Sequence, residues 1–185
     1  MEEKLFWDTY LKRKKDSDMG EKVMQFANFN ITFGNNNAPM LEFFEEVIYQ
    51  AFKSNYVRGK KEDLLRYSFS DVEIKEIDGE YVLVGNYIKD TEYEVITTVQ
   101  EGDLVDTPAH VPTAPYSRFI VFLKNHRMVL VKNEMRSPDI RSFQKTVRDM
   151  LSVYIRKANQ KREKDQKLPI AVVHIVDIPL SDNIE

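Results

Sequence analysis

The spacing of apolar residues changes several times along this chain, between the period of a β-strand and the period of an α-helix. Apolar and polar residues alternate from Ala27 to Phe33, which is typical of a half-buried strand. Apolar residues then recur at steps of three and four between Met40 and Phe52, and again between Ile140 and Ala158. This order of strand, helix, several strands, helix and strand predicts an α+β fold.

Turn residues divide the middle of the chain into hairpins. Asp78-Gly79 suits the positive φ values of a tight hairpin turn between the predicted strands Tyr67–Ile77 and Tyr81–Ile88. Asn125-His126 separates two further β-rich segments, and His and Asn both tolerate positive φ. We therefore expect a mainly antiparallel sheet of about six to seven strands.

The ends of the elements can also be predicted. Asn37 is the expected N-cap of the first helix and Ser137 that of the second, with Pro39 and Pro138 in their first turns. Gly and Pro make residues 100–115 a long connection rather than a strand. The apolar run Ile170–Ile178 predicts a strand that is buried on both faces. The two amphipathic helices are expected on one face, in an elaborated ferredoxin-like, split βαβ topology.

Length and composition limit the class of protein. A chain of 185 residues is expected to form a single domain, with residues 1–20 as an N-terminal arm. The chain ends directly after a predicted strand, so we also consider that it is the N-terminal domain of a longer protein. Cysteine is absent, which fits a reducing compartment and predicts a cytoplasmic location. The apolar runs are far shorter than a membrane helix needs, so we expect no membrane partner.

The charge balance allows only local basic function. With 27 basic and 30 acidic side chains, the net charge is −3, so a solvated surface is the simpler interpretation of each basic run. The functional interpretation is nucleic-acid binding, by basic runs that include one at residues 58–61 and by the β-rich segment that contains Arg118. The candidate nucleic-acid contacts are Lys12, Arg13, Lys14, Lys15, Arg118, Arg156, Lys157, Lys161 and Arg162.

One set of side chains suggests catalysis. Asp71, Glu73 and Lys75 alternate along a predicted strand, and a Glu-x-Lys pair is half of a divalent-metal nuclease site. The other interpretation is a solvated strand face opposite Val72 and Ile74, which we favour because half-buried strands normally alternate in this way. A metal-dependent nuclease is the alternative function, and we lean toward a chain that is not an enzyme.

Other catalytic motifs do not occur. No Gly-rich phosphate loop is present, and His110, His126 and His174 lack metal-ligand spacing, so we predict no cofactor and no metal. We expect His174 to be a core residue and single out His110 for testing. Asp139 and Arg141 at the head of the second helix could bind an anion, although an ordinary helix cap is the simpler interpretation.

A protein partner is the remaining hypothesis. Phe6, Trp7 and Tyr10 cluster near the N-terminus, where aromatic side chains would anchor a partner. Two amphipathic helices and an exposed sheet edge would also suit a homo-oligomeric scaffold, which is the third interpretation.

One segment resembles a known group of proteins. Tyr116–Val131 contains a strand, a Lys-x-His-Arg turn and a second strand, and Ser137-Pro-x-Ile-x-x-Phe143 follows. This hairpin-to-helix pattern resembles an uncharacterised bacterial family associated with anti-phage defence loci. The resemblance implies a defence protein that senses or binds a component, and it carries over no catalytic residue. We therefore expect a non-enzymatic binding domain for nucleic acid or a phage component in a bacterial defence assembly.

Overall fold

The fold is a mainly antiparallel sheet with two helices, as seen in a computed structural model that describes residues 22–100 and 102–178. The α+β prediction is thus confirmed. Seven strands follow the order β2-β1-β8-β7-β5-β4-β3 and curl into a half-barrel, while β9 pairs with β1 and β6 pairs with β5. The strands are β1 Met24–Phe33, β2 Ala38–Pro39, β3 Val57–Arg58, β4 Arg66–Ile77, β5 Glu80–Gln100, β6 Asp103–Thr113, β7 Tyr116–Phe122, β8 Arg127–Lys132 and β9 Ala171–Ile178.

The two helices differ in regularity. The first, α1, covers residues 40–53 and runs without a break through a 3₁₀ turn at Met40–Phe43, a π-helical stretch at Phe44–Tyr49 and an α-turn at Gln50–Lys53. The second, α2, is a regular α-helix at Ile140–Asn159. A short 3₁₀ turn at Lys164–Gln166 leads into β9.

Both helices contribute to one large apolar core. Phe29 and Ile31 of β1 are fully buried in it, together with Ile48 of α1 and Phe143 of α2. The Phe143 ring also meets Phe119 of β7 edge-on, at 5.2 Å between ring centroids. Burial of these side chains supplies most of the driving force for folding, because each contributes roughly 1.5–3 kcal/mol.

A second, smaller cluster lies on the opposite face of the sheet. Side chains alternate along a strand, so Phe119 and Val121 of β7 face the large core while Ile120 faces away. Ile120 is buried with Val82 of β5 and Val129 of β8. The sheet is therefore apolar on both sides at its centre.

Two predicted hairpins are confirmed. Asp78 and Gly79 both adopt positive φ, 51° and 78°, between β4 and β5. His126 adopts a φ of 57° in the turn between β7 and β8, which pair from Ser117 with Lys132 to Phe122 with Arg127. Turn chemistry is local, and this explains why the sequence predicts it well.

The predicted helix caps are wrong by a few residues. Pro39 lies in β2, and no side-chain bond caps the helical segment that follows it. Asp139, rather than Ser137, caps α2, and its Oδ1 accepts a hydrogen bond from the Ser142 amide at 2.9 Å. Ser137 is buried instead, and its hydroxyl accepts a hydrogen bond from the backbone N–H of Glu134, which lies before the helix.

Three larger expectations need correction or stay open. Residues 103–113 form strand β6 rather than a loop. Strand β9 is not buried on both faces, since Val173 and Ile175 are buried while Val172 and Val176 are exposed. All strand pairs of the described residues are antiparallel, but the strand order β2-β1-β8-β7-β5-β4-β3, with β9 beside β1, confirms neither the ferredoxin-like topology nor the placement of both helices on one face.

Candidate functional site

The strongest candidate site is a cleft of about 530 Å³ between the first turns of α2 and the strands β3 and β4. We call it the basic cleft. The lining residues are Arg58, Leu65, Tyr67, Asp139, Arg141, Ser142, Gln144, Lys145 and Arg148.

The basic cleft carries an excess of positive charge. Arg141, Lys145 and Arg148 lie at helical steps of four and three, so they form one stripe along α2. Arg58 adds a fourth cation from β3, and Asp139 is the one carboxylate that lines the cleft. Within residues 22–100 and 102–178, none of these four cations has a carboxylate partner within 4.0 Å. Their charges are therefore available to an anion.

Arg58 is held in place by a stack of aromatic rings. Its guanidinium carbon lies 4.0 Å from the centre of the Tyr67 ring, and Tyr67 in turn stacks on Tyr87 at 5.7 Å and 20°. The Arg58 Nε is buried and has no hydrogen-bond partner. The stack fixes the side chain before any ligand arrives, which lowers the entropy lost on binding.

Tyr87 anchors this stack in the core. It is fully buried, and its hydroxyl lies 2.7 Å from the Thr146 hydroxyl of α2. The Thr146 hydroxyl donates to the Ser142 carbonyl at 2.9 Å, so it is left to accept from Tyr87. Burial raises the pKa of Tyr87 to about 12, against the opposing effect of its hydrogen bonds. Tyr87 thus stays neutral and couples the sheet to α2.

Asp139 contributes a negative charge that the helix itself partly offsets. Burial would raise its pKa, but hydrogen bonds from the backbone and side chain of Ser142, with the nearby Lys132, outweigh this and hold the pKa below its usual value. The carboxylate satisfies amides at the positive end of the helix dipole. It therefore competes less with the cations of the cleft than a free carboxylate would.

The loop between β3 and β4 shapes the opposite wall. Gly59 follows Arg58 directly and adopts a φ of 109°, and a Cβ atom there would lie 2.9 Å from the Leu65 carbonyl oxygen. Only glycine fits this close approach. The backbone amide of Lys60 donates to Asp63 Oδ2 at 2.7 Å, which closes the turn.

A second, smaller depression lies farther along α2. It measures about 320 Å³, and its lining includes Tyr56, Met150, Tyr154 and Lys157. Burial raises the pKa of Tyr56, and the Asp149 carboxylate raises it further while Arg58 lowers it. Two depressions thus follow the same helix, and basic side chains line both of them.

The candidate nuclease residues do not form a metal site. Asp71 sits in a β-bulge with a φ of 52°, and its Oδ2 accepts a hydrogen bond from Asn86 Nδ2 at 2.7 Å. Glu73 pairs with Lys75 at 2.7 Å. No group of three or more potential metal ligands occurs in the part of the chain that the structure describes.

Five of the candidate nucleic-acid residues lie in the described part of the chain, one on β7 and four at or near the end of α2. Arg118 lies on β7 between the buried Ser117 and Phe119, so it faces away from the large core. Lys157 lines the second depression, and Arg162 is paired with Glu46 at 2.6 Å. Arg156 and Lys161 are exposed near the end of α2. Lys12, Arg13, Lys14 and Lys15 lie outside the described residues, as do the partner candidates Phe6, Trp7 and Tyr10.

The histidines are not brought together. His110 lies exposed on β6, with Nδ1 3.8 Å from a Glu92 carboxylate oxygen. His174 is exposed on β9 rather than buried, so its predicted core position is wrong.

Sequence reasoning found two members of the basic cleft and missed two. Arg58 falls within a predicted basic run, and Arg141 lies at the helix head, where an anion could bind although an ordinary cap is the simpler interpretation. Lys145 and Arg148 were not singled out, although their spacing from Arg141 places all three on one helix face. The convergence of β3 on α2 is a tertiary contact that this spacing does not encode.

Comparison with models of known families, with curated proteins and with solved structures found no match. Among the described helices, none combines the length and the apolar character of a membrane span.

Proposed function

We propose that the protein is a non-enzymatic binding module that holds the phosphate backbone of a single-stranded nucleic acid in the basic cleft. The observation that carries this proposal is the convergence of four cations without ion-pair partners on one cleft, in a chain whose net charge is −3. Phosphate groups are recognised by clustered Arg and Lys side chains, and Arg also presents a flat surface on which an unpaired base can stack.

The position of Arg58 favours a single strand over a free phosphate. Its guanidinium lies on the Tyr67 ring, which in turn stacks on Tyr87, and Arg58 lines the cleft. A base placed on the guanidinium would extend the stack, while Lys145 and Arg148 would neutralise phosphates beside it. The resemblance of residues 116–143 to a defence-associated family leads us to include bacterial antiviral defence in the proposal.

The proposal is tested by fluorescence anisotropy with a labelled single strand of about ten nucleotides, from about 50 to 200 mM salt. We expect binding that weakens steeply with salt. Lys145→Gln or Arg148→Gln should weaken binding about tenfold and reduce the salt slope by roughly 0.7, because each removes one phosphate contact.

Arg118→Gln is the matched control, because it removes one charge from the opposite face of the sheet. It should leave the affinity and the salt slope unchanged. The proposal is wrong if the strand does not bind at low salt, or if Arg118→Gln weakens binding as much as the cleft variants do. Cleavage of the strand in Mg²⁺ would contradict a non-enzymatic role.

A further inference from the structure

One part of the sheet extends beyond its neighbouring strands as a long two-stranded ribbon. Strand β5 has 21 residues, but only its first part lies between β4 and β7. From Thr91 onward it pairs with β6 alone, and β6 pairs with no other strand of the described residues. We call residues 91–100 and 102–113 the acidic ribbon. A two-stranded ribbon of this kind is marginally stable by itself, so contact with another surface would stabilise it.

The acidic ribbon has the opposite charge to the basic cleft. Residues 91–113 include five Asp or Glu and no Lys or Arg. Glu92, Glu94 and Asp103 are exposed, and Val111 is also exposed at 47%. Opposite charges of this kind steer two surfaces together and fix their orientation.

The ribbon leaves the sheet next to the cleft. The guanidinium carbon of Arg136, three residues before Asp139, lies 4.1 Å from the centre of the Tyr93 ring. A second contact lies where β5 leaves β4. Arg66 forms a salt bridge with Asp90, which is the last β5 residue that pairs with β4. Arg66 directly precedes Tyr67, which lines the cleft. The two complementary surfaces are therefore neighbours on one molecule.

We propose that the acidic ribbon of one molecule docks in the basic cleft of a second copy of the chain, and that the second copy does the same in return. A twofold axis between the two copies forms both ribbon–cleft contacts at once, because the ribbon and the cleft are neighbours on each molecule. The contact closes after two copies and leaves no unpaired ribbon. This inference goes beyond the proposed function and does not require that the cleft binds nucleic acid.

The dimer has a consequence for the cleft. Ribbon carboxylates and an anionic ligand would use the same cations, Lys145 and Arg148 among them. A bound strand would therefore displace the ribbon, and added salt would weaken both contacts.

The test is a charge exchange between two variants, followed by sedimentation velocity at low and high salt. The ribbon variant carries Glu92→Lys and Glu94→Lys, and the cleft variant carries Lys145→Glu and Arg148→Glu. We expect the unmodified protein to dimerise at low salt and to dissociate at high salt. Each variant alone should have a dimer Kd raised by at least about tenfold, because like charges then meet in both contacts.

An equal mixture of the two variants should restore the dimer, since each ribbon then meets a cleft of opposite charge. Glu42→Lys with Glu45→Lys, at exposed positions of α1, is the matched control and should dimerise like the unmodified protein. The proposal is overturned if the unmodified protein is monomeric at low salt, if either variant dimerises as tightly as the unmodified protein, or if the mixture dimerises no more tightly than the single variants.

Different results would disprove the ribbon proposal and the proposed function. The ribbon variant keeps all four cations of the cleft, so it should still bind the labelled single strand if the proposed function is correct. Loss of dimerisation with retained strand binding would remove only the ribbon proposal. A dimer that passes the charge exchange but binds no strand would remove only the proposed function.

Discussion

Tyr87 is the residue that connects the apolar core to the basic cleft. Its ring lies between Phe69, at 5.1 Å, and Tyr67, which supports Arg58. Its hydroxyl is hydrogen-bonded to the Thr146 hydroxyl of α2. A change at this buried position should therefore affect both stability and the cleft.

The raised pKa of Tyr87 predicts how stability depends on alkaline pH. The pKa is about 12 in the folded state and near 10 in the unfolded chain, so the folded state holds the proton more tightly. The contribution of Tyr87 to stability is complete below about pH 10 and is lost as the pH rises through about 12. Its loss lowers the free energy of unfolding by about 3 kcal/mol. Urea unfolding at about pH 9 and about pH 11.5 would measure it.

Tyr87→Phe should flatten this alkaline loss, although it removes a hydrogen bond worth about 1 kcal/mol at neutral pH. Tyr81→Phe is the control, because Tyr81 is 61% exposed and should leave the pH dependence unchanged. If Tyr87→Phe loses stability as steeply as the unmodified protein between these pH values, another group causes the alkaline loss.

Asp139 allows helix capping and cleft charge to be separated. Asp139→Ala should lower the free energy of unfolding by about 1 kcal/mol, because the Ser142 amide loses its acceptor. Asp139→Asn keeps an acceptor, so it should cost only a fraction of this at neutral pH. The lowered pKa of Asp139 stabilises the fold at pH values above the usual Asp pKa, and this stabilisation is lost as the pH falls through the lowered pKa. Asp139→Asn should therefore also reduce the loss of stability in acid.

Both Asp139 variants should bind the labelled single strand more tightly, since each removes the one carboxylate of the cleft. Urea unfolding and anisotropy on the same samples would show this separation. Glu163→Gln, which removes an exposed carboxylate beyond α2, is the control for charge alone. Weaker binding by Asp139→Asn would contradict the proposed phosphate contacts.

At the level of elements, the sequence predicted turns and helix faces better than it predicted which strands pair. The turn at Asp78-Gly79 and the stripe of α2 were predictable, because turn φ values and helical spacing are written in neighbouring residues. Strand β6 of the ribbon was not, because Pro108 and Pro112 indicate a loop. Strand β6 accommodates them because its pairing shifts near Pro108 and because it is an edge strand.

The same limit applies to the candidate site. The sequence indicated Arg58 and Arg141 separately, but their meeting depends on how β3 packs beside α2. It also did not predict the bulge at Asp71, which ends the regular alternation of β4. Sheet register and helix docking are set by long-range packing, which a single sequence does not display.

The bulge in β4 predicts a specific role for Gly85. Gly85 lies between the register pairs that flank the bulge, and a Cβ atom there would lie 2.7 Å from Phe119 Cζ and 3.0 Å from Val72 Cγ2. Gly85→Ala should lower the free energy of unfolding by roughly 1–3 kcal/mol through overpacking. Urea unfolding checks this.

A second substitution distinguishes this crowding from a general loss of strand stability. Phe119→Leu shortens the ring that meets the new methyl group, so the double variant should be less destabilised than the sum of the two single variants. Additive effects would show that Phe119 does not cause the cost. Gly79→Ala, where nothing lies within 4 Å of the new Cβ, should show no coupling to Phe119→Leu.

For the whole molecule, charge is separated within a chain of small net charge. Cations without ion-pair partners line the cleft of α2, β3 and β4, while the neighbouring ribbon is acidic. The large core lies under the cleft and includes residues of both helices and of the sheet, but none of the β6 residues whose burial is described, 103, 105 and 109–113, is part of it. The molecule therefore combines a packed body with an extension that leaves the sheet beside it.

This division predicts that the ribbon can be shortened without loss of the fold. Replacing residues 95–109 with Asn-Gly would join Glu94 to His110, which are paired in the ribbon, through a turn that suits a hairpin. At high salt, where the unmodified protein is expected to be monomeric, the thermal midpoint should stay unchanged, because the large core is untouched. Strand binding at low salt should be at least as tight, because the lining of the cleft is kept and no ribbon competes for its cations. The shortened chain should dimerise more weakly at low salt, since it keeps Glu92 and Glu94 but lacks the rest of the ribbon. Unfolding at a much lower temperature would show that the ribbon supports the core, and an unchanged dimer Kd would show that residues 95–109 do not contribute to the contact.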